Sequence, residues 1–284
     1  MTLNSISQKL TQKLAPFGPL APLIFFSACS FLLFSLNRLI LTLINATDVF
    51  NVEGALWLFP VGIRMDSIIL SALLLAPTLL LLLMPPFALR FWRLLTASFF
   101  ALLSFLLIYF EATTYTFLSV YNARPNHLFV EYMAHPGTVL DIVLTNYLWQ
   151  FLFGVLLMTA GAWWIGKISY RLMCAAKPWP YWQRLLITPI IILLLAMGMR
   201  SSLSDSPANL GTAAFSDDNL VNELALNSSY AVAYATYNFF SQKQNLADQY
   251  GKLEKAEIIR RVRQQSGLPD DAFTDPAIAL AHEQ

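Results

Sequence analysis

Residues 20 to 44 read LAPLIFFSACSFLLFSLNRLILTLI, an apolar run interrupted by a single charge, Arg38. A helix needs about 20 such residues to cross a hydrocarbon core, so the run predicts a transmembrane helix. It is too long for the apolar core of a secretory signal and follows a polar start with Lys9 and Lys13, which predicts a retained signal anchor. Four further runs, at approximately 56 to 84, 94 to 118, 140 to 165 and 185 to 199, meet the same requirement. The last is short and contains Pro189, which neighbouring helices can accommodate.

Composition agrees with this reading. Of 284 residues, 57% are hydrophobic and only 12% charged, with mean hydropathy +0.55, against about 25% charged in soluble domains. A net charge of +1 with no block of like charges gives no footprint for nucleic acid. Cys29 and Cys174 lack any redox or metal spacing, and His127, His135 and His282 form no ligand motif. The expected fold class is an all-α membrane protein: five transmembrane helices followed by a short extracytoplasmic helical linker.

Lysine and arginine set the orientation. Lys9 and Lys13 precede the first span, Arg90 and Arg93 join the second to the third, and Lys167, Arg171, Lys177 and Arg184 join the fourth to the fifth. None of the 17 acidic residues falls in those segments. The other connections hold Asp48, Glu53, Asp66, Glu111, Glu131 and Asp141, with Arg64 and Arg124 as the strong bases. The expected organisation is a cytoplasmic start over 1–19, a membrane domain over 20–199 and an extracytoplasmic segment over 200–284.

This orientation gathers polar residues at the outer boundary: Arg64 and Asp66 before the second apolar run, Glu111 after the third, and Arg124, Asn126, Glu131 and His135 in YNARPNHLFVEYMAHP at 121–136. Asp141 and Asn146 open the fourth span and Arg200 closes the fifth. Arg64 and Asp66 are two apart and do not face each other on a helix, so each is expected to find partners on other segments. Boundary charges commonly pair with one another. The functional alternative is that Arg64, Arg124 and Arg200 converge on a lipid phosphate, since a guanidinium suits bidentate phosphate contact. Arg38 needs a partner that sequence does not name.

After residue 200, RSSLSDSPANLGTAAFSDDN reads as a linker with turns. Leu226, Tyr230, Ala233, Tyr237 and Phe240 then recur at helical spacing and predict one apolar stripe, and a second helix is expected from about Leu253 to Ser266 with a Glu257–Arg261 pair. Asn227 opens an N-S-S sequon. Asp270, Asp271 and Asp275 read as solvated turn residues rather than metal ligands.

YNARPNHLFVEYMAHPGTVLDIVL at 121–144, GIRMD at 62–66 and RSSLSDSPANLGTAAFSDDNLVNELALNSSYAVAYA at 200–235 resemble the membrane half of the lipoteichoic acid synthase-like family. That resemblance implies a bacterial inner-membrane anchor in the cell envelope, with N-terminus inside and C-terminus outside. It further implies partnership with a sulfatase-fold phosphoglycerol transferase domain that uses a threonine nucleophile and a divalent metal, usually manganese. Phosphatidylglycerol would be the lipid partner. No catalytic residue and no cofactor site of that domain maps onto this sequence, so the chain is expected to be inactive alone and to represent a truncated or split member. A self-sufficient membrane transporter and an envelope scaffold are the alternatives.

Overall fold

The computed structural model describes residues 3–83, 89–176, 179–200, 208–250, 253–268 and 273. Lys177, residues 201–207 of the linker, Asp270, Asp271, Asp275 and His282 lie outside them. Two compact units divide the chain, Met1–Thr236 and Tyr237–Gln284.

The first unit runs through α1 (Leu3–Leu14), a 3₁₀ turn at Ala15–Leu20, α2 (Ala21–Ile44), α3 (Ala46–Asn51), a short turn at Ala55–Trp57, α4 (Leu58–Leu83), α5 (Leu89–Tyr121), α6 (His127–Tyr132), α7 (Pro136–Asn146), α8 (Leu148–Ala175), α9 (Tyr181–Met199), a 3₁₀ turn at Leu210–Ala213, α10 (Asn219–Ala225) and the start of α11 (Ser228–Tyr250). No strand occurs among the described residues. Among the described residues, five helices are long and apolar enough to cross a membrane, those built around α2, α4, α5, α8 and α9. The chain is an all-α, multi-pass membrane protein. Helices suit that role because they satisfy every backbone polar group within the segment, where no water can do so.

Helix α4 packs against α2, α5, α9 and α10, while α8 lies along α5 and also touches α2. Phe26, Phe34, Met65, Phe100 and Leu107 fill the middle of the bundle, and the Phe26 and Phe100 rings stack at 4.8 Å. The α5 to α8 contact depends on small residues. A Cβ at Gly166 would lie 3.0 Å from the Ala101 Cβ and 3.3 Å from the Ala97 carbonyl, so the two backbones approach as closely as glycine permits.

Span edges move where helix propensity outlasts the apolar run. The fourth span was expected at 140–165, but α7 ends at Asn146, the backbone breaks at Tyr147, and α8 continues through Lys167 and Arg171 to Ala175. Pro136 starts α7 as a separate helix with no buried residue. The C-terminal end of α8 carries Lys167 and Arg171, yet lysine and arginine are good helix formers and do not stop it.

The boundary expected at residue 200 also moves. Described residues from 208 to 236 belong to the same compact unit as the membrane helices, with Val221, Leu224, Ala225, Leu226, Ala231 and Val232 buried. A small segment that cannot build its own core gains burial by docking. The predicted stripe changes accordingly. Leu226 and Tyr230 are buried, but Ala233, Tyr237 and Phe240 are exposed. The chain turns at Leu226–Asn227 before α11 begins, so the docked face is Ser228, Ala231, Val232 and Ala235 at helical spacing.

In the second unit, α11 continues to Tyr250 and α12 spans Lys255–Ser266, ended by Gly267 at φ +71. Glu257 pairs with Arg261 as expected, at 2.8 Å, and also with Arg260 at 2.7 Å. Hydrogen bonds from Arg260 and Arg261 hold its carboxyl down at about 2.

Candidate functional site

The buried faces of three membrane helices each carry polar residues at one end of the bundle. On α2, Phe34, Asn37, Arg38 and Leu41 are all buried and follow helical spacing. On α4, Leu58, Gly62, Met65, Asp66 and Ile69 do the same, and on α5 so do Leu107, Glu111, Thr114 and Leu118. Helix ends that bring apolar side chains together therefore bring these polar groups together too.

Two ion pairs result. Arg38 meets Asp66 at 2.8 Å and Arg124 meets Glu111 at 3.1 Å, with every partner almost wholly buried. The docked segment adds acceptors to both. Arg38 donates to the Ala225 carbonyl at 3.3 Å. Arg124 donates from Nε to the Glu223 carbonyl at 2.8 Å and from a terminal nitrogen to the Leu224 carbonyl at 3.3 Å. These are the last carbonyls of α10, which carry its partial negative charge, and that of Glu223 also accepts from the Leu226 N–H at 3.3 Å.

The next helix is held by the opposite charge. Glu111 accepts from the Ser228 backbone N–H at 2.8 Å, at the start of α11, where a carboxylate is favoured. Asn227 caps α11, its side-chain oxygen accepting from the Tyr230 N–H at 2.8 Å, while its amide donates to Asp66 at 3.0 Å. Ser228 Oγ also accepts from Arg124 at 3.0 Å and shares a short hydrogen bond with Thr114. Asn37 donates to Glu111 and accepts from the Tyr115 hydroxyl at 2.7 Å. The α10 to α11 joint thus sits in a socket with guanidiniums at the carbonyl end and a carboxylate at the N–H end.

Before the socket, Asp218 caps α10 by accepting from the Val221 N–H at 3.0 Å. Asn222 Oδ1 accepts from the backbone N–H groups of Phe215 and Ser216, each at 3.0 Å. This fixes the approach of the chain.

Glu223 adds a third carboxylate, accepting from the Arg124 backbone N–H at 2.9 Å. Two guanidiniums then face three carboxylates, and burial pushes the Glu223 carboxyl above its ordinary value of 4.5 despite the pull of Arg124. A raised folded-state value means that the folded state binds the proton more tightly, so its contribution to docking is greatest at acid pH and is lost as pH rises through the folded value. Wild-type thermal stability in detergent should fall as pH climbs from about 4.5 toward neutrality, and Glu223→Gln should flatten that slope. A slope unchanged in the variant would remove Glu223 as its source.

Gly62 makes room for Arg38. A Cβ there would overlap the guanidinium carbon and Nε, so the arginine lies flat against the α4 backbone. Gly62→Ala should push Arg38 off Asp66 and destabilise the protein by about 1–3 kcal/mol, the usual cost of overpacking. Thermal unfolding in detergent reads this, and an unshifted midpoint would contradict it.

Of the outer-boundary residues picked out in the sequence, Asp66, Glu111 and Arg124 enter the socket. The others do not. Arg64 is exposed, as are Glu131, His135 and Arg200, and Asp141 and Asn146 are exposed on α7. Asn126 caps α6 by accepting from the Leu128 N–H at 3.0 Å. The expected convergence of Arg64, Arg124 and Arg200 on a phosphate is corrected in one respect. Arg124 is 1% exposed and its three nitrogens bond protein acceptors, so it has no face to offer a head group. Asn227, likewise 1% exposed and bonded to Asp66, leaves no space for a glycan at its sequon. Sequence reasoning missed Asn37, Thr114, Glu223, Asn227 and Ser228 as members, and left Arg38 without its partner, Asp66.

Among the described residues no group of three His, Cys, Asp or Glu side chains could hold a metal ion. No protein-family model and no solved structure matches the chain.

Proposed function

We propose that this chain is the membrane anchor of a lipoteichoic acid synthase-like phosphoglycerol transfer system in a bacterial inner membrane. It holds a sulfatase-fold module, carried on the same polypeptide or another, on the extracytoplasmic side. The observation that carries the reading is the socket: two buried ion pairs seize the α10 to α11 joint. A chain merely tethered to the bundle would need no such fixation, whereas an anchor that sets the pose of a following module would. The charge asymmetry of the loops supports an outward-facing socket. Arg64 and Arg200, both exposed, are the residues offered to an anionic head group.

Purified protein in nanodiscs containing labelled phosphatidylglycerol tests both halves. The chain alone should transfer no glycerol phosphate, and measurable transfer would overturn the assignment of chemistry to another module. Native mass spectrometry should show phosphatidylglycerol retention weakened roughly fivefold by Arg64→Ala or Arg200→Ala, as expected for one basic group near an anionic surface. Unchanged retention in both would remove the head-group role.

A further inference from the structure

We propose that α12 is an interfacial helix that lies in the head-group layer of an anionic bilayer, giving the second unit a membrane contact of its own. Its pattern carries the argument. Ile258, Ile259 and Val262 fall on one face at i, i+1 and i+4, and Lys255, three positions before Ile258, puts a further cation on that face at the start of the helix. Ile258 and Val262 are exposed and no part of α12 is buried. Arg261 and Arg263 immediately flank Val262, so successive helical positions put them about 100° to either side of the stripe. That is where long cationic side chains can extend from an embedded stripe to lipid phosphates.

The acidic residue within the helix is turned away. Glu257 lies on the far side with Arg260 and Gln264, and its carboxylate is neutralised by Arg260 and Arg261. Phe273 stacks on Arg263 at 4.6 Å and adds an aromatic ring beside one flank. A short helix of low overall hydrophobicity, with an aliphatic stripe and basic flanks, fits a lipid surface better than a core. A protein groove would favour a wider apolar face.

The test uses the full chain, with Cys29 and Cys174 replaced by alanine, in nanodiscs of phosphatidylcholine with and without phosphatidylglycerol. Spin labels are placed singly at residues 257, 258, 262 and 264. With phosphatidylglycerol, labels at 258 and 262 should be reached by lipid-soluble oxygen more readily than by a water-soluble nickel chelate, and labels at 257 and 264 the reverse. Arg261→Gln and Arg263→Gln should each lower the equilibrium constant for the embedded state roughly fivefold, the effect of one basic residue at an anionic surface. The contrast should also fade without phosphatidylglycerol. Equal chelate access at all four positions in both lipids would overturn the proposal. So would protection of 258 and 262 from both reagents whatever the lipid, since that pattern means a protein surface or a second copy covers the stripe.

Discussion

Arg124→Ala should release the α10 to α11 segment from the membrane bundle and lower stability by about 3–5 kcal/mol, the usual cost of breaking a buried ion pair by removing one partner. Three losses combine. Glu111 keeps its buried position but loses its guanidinium at 3.1 Å. The Leu224 carbonyl loses its Arg124 donor and the Glu223 carbonyl keeps only the Leu226 N–H at 3.3 Å, and Ser228 loses its bond from Arg124. The ion pair dominates, because a neutral buried acceptor left unsatisfied costs about 1–3 kcal/mol, whereas an unpaired buried charge costs more. Arg124→Lys should be intermediate. It restores a positive charge for Glu111, but an ammonium lacks the planar fork that reaches Glu111, Ser228 and two carbonyls together. Thermal unfolding in detergent gives the size of the effect, and limited proteolysis between residues 208 and 236 gives its location. Wild-type stability with wild-type protection of that segment would refute Arg124 as the clasp.

Two orthogonal signals in the chain differ in how far they could be followed. Apolar length identified all five crossing helices, because bilayer thickness is imposed from outside and reads directly as residue count. Helix ends were less legible. The chain leaves the apolar zone before it leaves the helix, so α5 runs from Leu89 to Tyr121 and α8 to Ala175, beyond the expected spans. The socket was partly legible. On α5, Ala97, Phe100, Ser104, Leu107, Glu111, Thr114 and Leu118 are buried at alternating steps of three and four, a pattern present in the sequence that marks Glu111 and Thr114 as inward-facing. Arg38 follows Phe34 by four and precedes Leu41 by three, so its burial could have been read in the same way. Its partner could not. Asp66 is one of several carboxylates within reach of a bundle end, and only the packing of α2 on α4 chooses it. Asn227 and Ser228 were hidden for another reason, since their apolar neighbours suggested a continuous helix and the turn between α10 and α11 carries neither glycine nor proline.

Asp66→Ala should be as damaging as Arg124→Ala, at about 3–5 kcal/mol, and its rescue distinguishes two explanations. Among the described residues, Arg38 Nε and one terminal nitrogen, together with Asp66 Oδ2, have no hydrogen-bond partner although they are buried. Arg38 therefore depends on Asp66 and the Ala225 carbonyl alone. Removing the carboxylate leaves a guanidinium lying on Gly62 with one long hydrogen bond and no counter-charge. If the damage comes from that stranded charge, adding Arg38→Met to Asp66→Leu should recover most of the stability, because a buried pair replaced by apolar groups of similar volume is often neutral. Recovery should stop short of complete. Asn227 would lose its acceptor and the Ala225 carbonyl its donor, each an unsatisfied buried group costing about 1–3 kcal/mol. The expected order of unfolding midpoints is wild type, then the double variant, then Asp66→Ala. A double variant no better than Asp66→Ala would mean that the pair acts by holding Asn227 and the start of α11 in register, and that the charge itself contributes little.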